Sequence, residues 1–143
     1  METKITNRQK LALAVEAKKR KDLTRYEGSF QEFAKEQIRI LPKDAGRGFI
    51  PLEFNAAQQI VDNAIEKQLK ETGKVRAIIL KARQMGLSTY SCGRVYWKSY
   101  LTPFNKSVVM AHDSATSDAL FAMSRNIIQN MKPEFKPVLK KSN

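Results

Sequence analysis

The nine residues Lys81–Thr89, "KARQMGLST", carry the spacing in this chain that can do chemistry. Gly86 precedes Ser88 by two positions, the glycine-to-hydroxyl spacing of a loop that wraps a phosphate chain and offers a hydroxyl to Mg2+. Such a loop needs backbone N–H groups turned inward at a helix N-terminus, glycine where no side chain fits, and a cation for the terminal phosphates. The lysine that would follow the glycine is missing: Leu87 stands there, and Lys81 occupies the place of the pattern's first glycine. The stem of Lys81 is long enough to fold its ammonium over the phosphates, and Arg83 would add a planar donor set. The same residues also suit a plain strand-to-helix turn, with Lys81 snorkelling at a strand end and Arg83 paired at a sheet rim. On spacing alone both descriptions stand. Ser88 is the first candidate for the Mg2+ hydroxyl, a role compatible with capping a helix, and Thr89 is its neighbour.

The flanking elements must position that loop. "VRAIIL", Val75–Leu80, is short, β-branched and nearly uncharged, which predicts a strand buried on both faces. "STYSCGRVYWKSYL" predicts a helix opened by Ser88 and closed before Pro103. "KSVVMAHD", Lys106–Asp113, predicts a second buried strand. Ser114 is expected to cap a helix with Leu120, Phe121, Ile127, Ile128 and Met131 along one stripe. The order strand, loop, helix, strand, helix argues for an α/β parallel sheet with right-handed crossovers.

Upstream, Asn55 is placed to cap a helix with Ile60, Val61, Ala64, Ile65 and Leu69 at helical spacing, ended by Gly73. "GFIPLEF" reads as extended, and Ser29 as the cap of "FQEFAKEQIRI", with Phe30, Phe33 and Ile38 as its apolar side. Asn7–Arg20 is a weakly amphipathic helix, and "KPEFKPVLKKSN" is loop or tail. The division expected is a helical appendage over residues 1–45 and an α/β unit over 46–143. Two parallel strands make a poor core, so further strands are expected after Asn143, and the chain reads as the front part of a longer protein.

Composition narrows the function classes. With 26 basic and 14 acidic residues the net charge is +12, which favours polyanions as partners. A single cysteine, Cys92, excludes a disulfide within the chain. No run approaches the roughly 18 apolar residues of a membrane span. The N-terminus lacks a sustained apolar stretch and reads as mature sequence. Among single residues, Arg94 and Lys98 are expected in solvent, Cys92 as a small buried hydrophobe, and Tyr96, Trp97 and Tyr100 as packing. His112, the only histidine, ends the second strand and is expected to be structural. Lys18–Lys21, "KKRK", suits DNA phosphates or a solvated helix face.

"VRAIILKARQMGLSTYS" resembles the first ATPase motif of the large terminase subunits of tailed bacteriophages and prophages. In that family the loop often carries R-Q-x-G followed by Ser or Thr, and some members have their lysine at the front of the loop, as Lys81 is here. "PLEFNAAQQIV" is similar to the family's upstream segment, where a glutamine contacts adenine. The resemblance assigns that role to Gln58, with Gln59 as the second choice and Phe54 and Asn55 flanking the base. "VVMAHDSATSDALF" looks like the family's second strand and helix. The resemblance spans about Phe49 to Met131, with the three pieces in the family's order.

It implies a partial P-loop NTPase sheet of the ASCE type flanked by helices. It implies ATP and Mg2+ held by Gln58, Lys81, Arg83, Gln84, Gly86, Ser88 and Thr89, with Ser88 on the metal. The activity implied is packaging of viral DNA into a procapsid in the cytoplasm of a bacterial host. Double-stranded viral DNA, a small terminase subunit and a portal protein would be the partners, in a homo-oligomeric motor. The family's Asp-Glu motif and its nuclease acids are absent from this sequence. A nucleotide cradle without hydrolytic or cutting residues is therefore expected, with no catalytic residue assigned. The alternatives are another P-loop DNA translocase or helicase-like ATPase, or a non-catalytic prophage remnant that binds DNA or terminase partners. With Arg94 taken as solvated, Lys81→Ala is expected to weaken nucleotide binding more than Arg94→Ala.

Overall fold

Local chemistry sets where most of the helices start and stop. In the computed structural model, which describes residues 6–42, 46, 48–102 and 104–136, five α-helices, one antiparallel ribbon and a short 3-10 helix (Pro133–Phe135) form. They are α1 (Asn7–Tyr26), α2 (Phe30–Gln37), β1 (Arg39–Ile40), β2 (Ile50–Pro51), α3 (Ala56–Thr72), α4 (Leu87–Leu101) and α5 (Ser114–Gln129). Ser29 caps α2 by accepting from the Glu32 N–H. Asn55 caps α3 in a capping box with Gln58, and Gly73 ends α3 in the left-handed conformation at φ +69°. The helix α4 stops at Leu101, as the approach of Pro103 predicts. Pro103 itself, the tail after Lys136, and the side chains of Lys18, Lys19 and Arg20 lie outside the described residues.

Three boundaries differ from expectation. The helix α2 ends at Gln37, because Ile38, Arg39 and Ile40 turn into extended chain, with Arg39 paired to Pro51 and Ile40 to Ile50 across β1 and β2. The cap of α5 is Asp113, not Ser114: its carboxylate accepts from the Thr116 N–H at 2.7 Å and the Thr116 hydroxyl at 2.8 Å. Those hydrogen bonds to the charged form hold the Asp113 carboxyl below its usual value. Finally, α4 is not opened by a Ser88 cap; it begins at Leu87 behind Gly86.

The core is aromatic and joins residues on both sides of position 45. Phe30 of α2 lies 5.4 Å from the Tyr90 ring, 5.3 Å from Phe54 and 5.5 Å from Trp97, distances at which rings attract. Phe33, Ile38, Leu52, Ile127, Met131 and Phe135 are buried around them. Each such side chain contributes about 1.5–3 kcal/mol by leaving water. Gly93 lets α4 approach closely: a Cβ there would stand 3.0 Å from Ile38 Cδ1 and 3.3 Å from Phe30 Cζ. Trp97 Nε1 donates to the Tyr26 carbonyl at 2.9 Å, tying α4 to the end of α1. Cys92, Trp97, Tyr96 and Tyr100 pack as expected; burial pushes the Cys92 thiol up.

The expected parallel sheet is not formed among the described residues. Val75–Leu80 and Lys106–Asp113 have no ladder partner, and the only sheet there is the β1–β2 ribbon. Ile78 and Leu80 are fully exposed and Val108 and Met110 nearly so, where burial on both faces was expected. A strand is covered on both sides only when neighbours complete its ladder and helices cover its faces, and these two segments have no strand neighbour among the described residues. Ile79 and Val109 face a cleft of about 420 Å3 over Ser88, Cys92 and Leu120. Ile78 and Leu80 line a second cleft, of about 310 Å3, with Val61 and Ile65 of α3. The stripe on α3 is also incomplete, since Ile60 and Ala64 are exposed while Val61 and Ile65 pack on the core. On α5, Phe121 points to solvent while Ile127 is buried. None of the helices among the described residues is long and apolar enough to cross a membrane.

Candidate functional site

The loop at 81–86 is shaped by two left-handed residues. Gln84 has φ +67° and Gly86 φ +69°. Glycine adopts that conformation at no cost, whereas Gln84 adopts it at a cost of about 1–2 kcal/mol. Gly86 also lies close to α3: a Cβ there would stand 2.8 Å from Gln58 Nε2, which would have to shift. The first helical bond of α4 runs from the Tyr90 N–H to the Gly86 carbonyl at 3.0 Å. The N–H groups of Leu87, Ser88 and Thr89 therefore have no intrahelical acceptor, and no side chain caps them. Such N–H groups, at the positive end of the helix dipole, suit an anion.

The charged candidates lie around this turn. Lys81 and Arg83 are exposed, and Lys81 also borders the cleft that Ser88 lines. Ser88 is exposed and Thr89 half-buried on the first turn of α4. Gln84 is exposed within the loop. For Mg2+ the fit is partial. No group of three His, Cys, Asp or Glu among the described residues is arranged to hold a metal, so a hydroxyl such as that of Ser88 would be one ligand among phosphate oxygens and waters.

Gln58 is buried in the first turn of α3. It is 4% exposed, and its Oε1 accepts from the Asn55 N–H at 3.0 Å. Its Nε2 donates to the Gly86 carbonyl at 2.9 Å. Asn55 works beside it: Oδ1 accepts from the Gln58 N–H at 2.9 Å and Nδ2 donates to the Met85 carbonyl at 3.2 Å. The neighbouring Gln59 is half-buried and donates to Asn63 Oδ1 at 3.0 Å. Phe54 packs against Phe30 and Tyr90, whose ring lies 5.3 Å away.

Arg94 is not solvated. Its side chain is 12% exposed; Nη1 donates to Asp62 Oδ1 and Nη2 to Glu66 Oε1, each at 2.6 Å. It also lies over the Phe30 and Trp97 rings, at 5.6 and 5.5 Å. Burial works against its charge, but the Glu66 hydrogen bond and the fields of Tyr90, Asp62 and Glu66 outweigh that and raise its pKa. The Tyr90 hydroxyl donates to the same Asp62 oxygen, and burial with that bond drives the phenol well above its ordinary value. Asp62/Glu66 and Tyr90/Arg94 are each four apart in sequence, so each pair shares one helix face. That spacing was visible in the sequence; that the two faces meet was not. Lys98 is exposed as expected. His112 is exposed and paired with Asp113 at 2.6 Å, not held at the end of a buried strand.

The structure thus brings Asn55, Gln58 and Gly86 into one clasp, sets Lys81, Arg83, Gln84, Ser88 and Thr89 around the same turn, and assigns Arg94 to a buried ion cluster. Comparison with protein-family models, curated proteins and solved structures found no match.

Proposed function

We propose that this chain is the N-terminal part of the ATPase domain of a large terminase subunit, and that 81–89 is its phosphate-binding loop. In this reading ATP is held at the start of α4 and supports translocation of double-stranded viral DNA into a procapsid. The observation that supports it most is the uncapped start of α4, closed by left-handed Gly86 and flanked by exposed Lys81 and Arg83. Backbone N–H groups there would take phosphate oxygens, Lys81 and Arg83 would neutralise the terminal phosphates, and Ser88 would offer its hydroxyl to Mg2+. Held with the help of Ser88, Mg2+ would offset the charge of the phosphates. Val75–Leu80 and Lys106–Asp113 are then strands of a P-loop sheet, and their exposed apolar side chains are what that sheet would bury. The small terminase subunit, the portal protein, an oligomeric motor and the host cytoplasm belong to the same proposal.

The test is calorimetric titration of the full chain with Mg–ATP. Lys81→Ala is expected to weaken binding by at least about tenfold, the worth of one charge-assisted contact. Lys98→Ala is the matched control and should leave it unchanged, because Lys98 lies exposed in the last turn of α4. Arg94→Ala is unsuitable as a control, since it breaks the α3–α4 ion cluster. Equal effects of the two lysine substitutions would refute the role of Lys81.

A second reading is favoured by α1, a 20-residue helix with Lys10 and Lys21 exposed along its length. In it the chain binds DNA without turning over nucleotide. DNA affinity that falls steeply with salt, in a chain that takes up no ATP, would support that reading over the first.

A further inference from the structure

Two apolar segments lie against α4 without pairing to each other. Val75–Leu80 runs toward the start of α4, ending at Lys81 beside Ser88. Lys106–Asp113 leaves from the last turns of α4, where the Ser107 and Ser99 hydroxyls pair, and its Val108–Met110 stretch reaches the same cleft over Ser88. Both segments therefore run against the direction of α4 and parallel to one another. Exposure alternates along each. Val75 and Ile79 are 38% and 40% exposed, whereas Ile78 and Leu80 are fully exposed; Val109 is 50% exposed, Val108 81% and Met110 86%. That is the pleat of a strand with one face on the helices.

An edge of the first segment is also bare. At Arg76 the Gln68 side chain of α3 takes the place of a ladder partner: its Oε1 accepts from the N–H at 2.7 Å and its Nε2 donates to the carbonyl at 3.4 Å. Along a strand, successive residues turn their N–H and C=O groups to opposite edges. Val75, Ala77 and Ile79 therefore present theirs away from Gln68, and no ladder takes them among the described residues. Ile79 stands on one rim of the 420 Å3 cleft and Val108, Val109 and Met110 on the other, with Cys92, Val95 and Leu120 on the floor. Lys81 is the only charged residue that lines this cleft.

We propose that the cleft takes an extended segment of another protein, apolar on its inward face and acidic at the end that meets Lys81. That segment adds as a strand between Val75–Leu80 and Lys106–Asp113, with main-chain bonds for affinity and the lone lysine for selectivity. The proposal stands apart from nucleotide binding, and its test uses no nucleotide.

The probe is a labelled synthetic peptide of alternating Val and Thr flanked by Asp, titrated into the full chain by fluorescence anisotropy. It should bind at least about tenfold more tightly than the same core flanked by Lys. A central Pro, which removes a ladder donor, should abolish binding. Amide exchange in both 75–80 and 106–113 should slow when the Asp-flanked peptide is present. Lys81→Gln should cut the preference for Asp over Lys by about fivefold, while Lys98→Gln leaves it unchanged. Equal effects of the two substitutions would overturn the acidic partner, because the preference would then come from the net charge of the chain. Peptide binding that leaves exchange unaltered in either segment would overturn the inserted strand. Exchange that slows with rising chain concentration and no peptide would assign the cleft to a second copy and overturn the proposal. If Lys81→Gln fails to fold by circular dichroism, the wild-type peptide comparison and its exchange pattern still decide.

Discussion

The Tyr90 hydroxyl of α4 donates to Asp62 Oδ1 of α3 at 2.7 Å, and Arg94 Nη1 reaches the same oxygen at 2.6 Å. One carboxylate oxygen thus holds a phenol and a guanidinium on the helix that the loop leads into. Together with the Asn55–Gln58 clasp, it fixes α3 against the loop and against the first turns of α4.

Asp62→Ala should destabilise the chain by about 3 kcal/mol, because it leaves a buried guanidinium short of a partner and the buried Tyr90 hydroxyl without an acceptor for its proton. Denaturant unfolding checks this. Lys67→Ala is the comparison: its pairing with Glu71 is exposed and 3.9 Å long, so it should change stability by no more than about 0.5 kcal/mol. Similar midpoints for the two variants would show that the cluster does not hold the helices together.

All four tyrosines of the chain are held above their ordinary value of 10.0, with burial the first cause in each case. The folded state therefore keeps the phenolic protons more tightly than the unfolded chain. That contribution is complete below pH 10.0, the unfolded value, and is lost as the pH rises through the higher folded values. Spectrophotometric titration should show little tyrosinate at pH 10.0 while the near-ultraviolet circular dichroism is intact. Tyrosinate should then rise as the fold is lost. Half-ionised tyrosine at pH 10.0 in a folded chain would contradict the burial of these rings.

Gly86→Ala should cost about 1–2 kcal/mol from the left-handed backbone alone, and should also push the Gln58 amide off the Gly86 carbonyl. Gly28→Ala meets nothing within 4 Å and should be close to neutral. Thermal unfolding of the two variants side by side separates them; equal melting temperatures would mean that the 81–86 turn is not held in this shape.

Ile78 and Leu80 stand fully exposed on a segment whose backbone has no ladder partner. Such an edge recruits other chains. Sedimentation should show concentration-dependent association that Ile78→Lys and Leu80→Lys together reduce, without loss of helix content. Unchanged association would place the sticky surface elsewhere, with α1 next because Leu11, Leu13 and Val15 are exposed there.

What the sequence by itself determined is local. Ser29 and Asn55 as caps, Gly73 as a stop, the break before Pro103 and the aromatic packing of Trp97 depend on a few neighbouring residues, on backbone sterics and on apolar area. Gly86 was legible as a glycine the turn requires, and Lys81 and Arg83 as its nearby cations.

Only the tertiary structure decided the rest, because it depends on which groups meet across space. Arg94 read as a surface residue until α3 placed Asp62 and Glu66 against it. For Gln58 the letters give no partner within the chain, whereas the close approach of Gly86 gives its amide a carbonyl to hold. The two apolar segments read as buried strands, but burial belongs to a finished sheet: without ladder partners Ile78 and Leu80 stay in water. A propensity acts through the residue's own backbone, whereas pairing and burial need a second surface that a run of letters does not name.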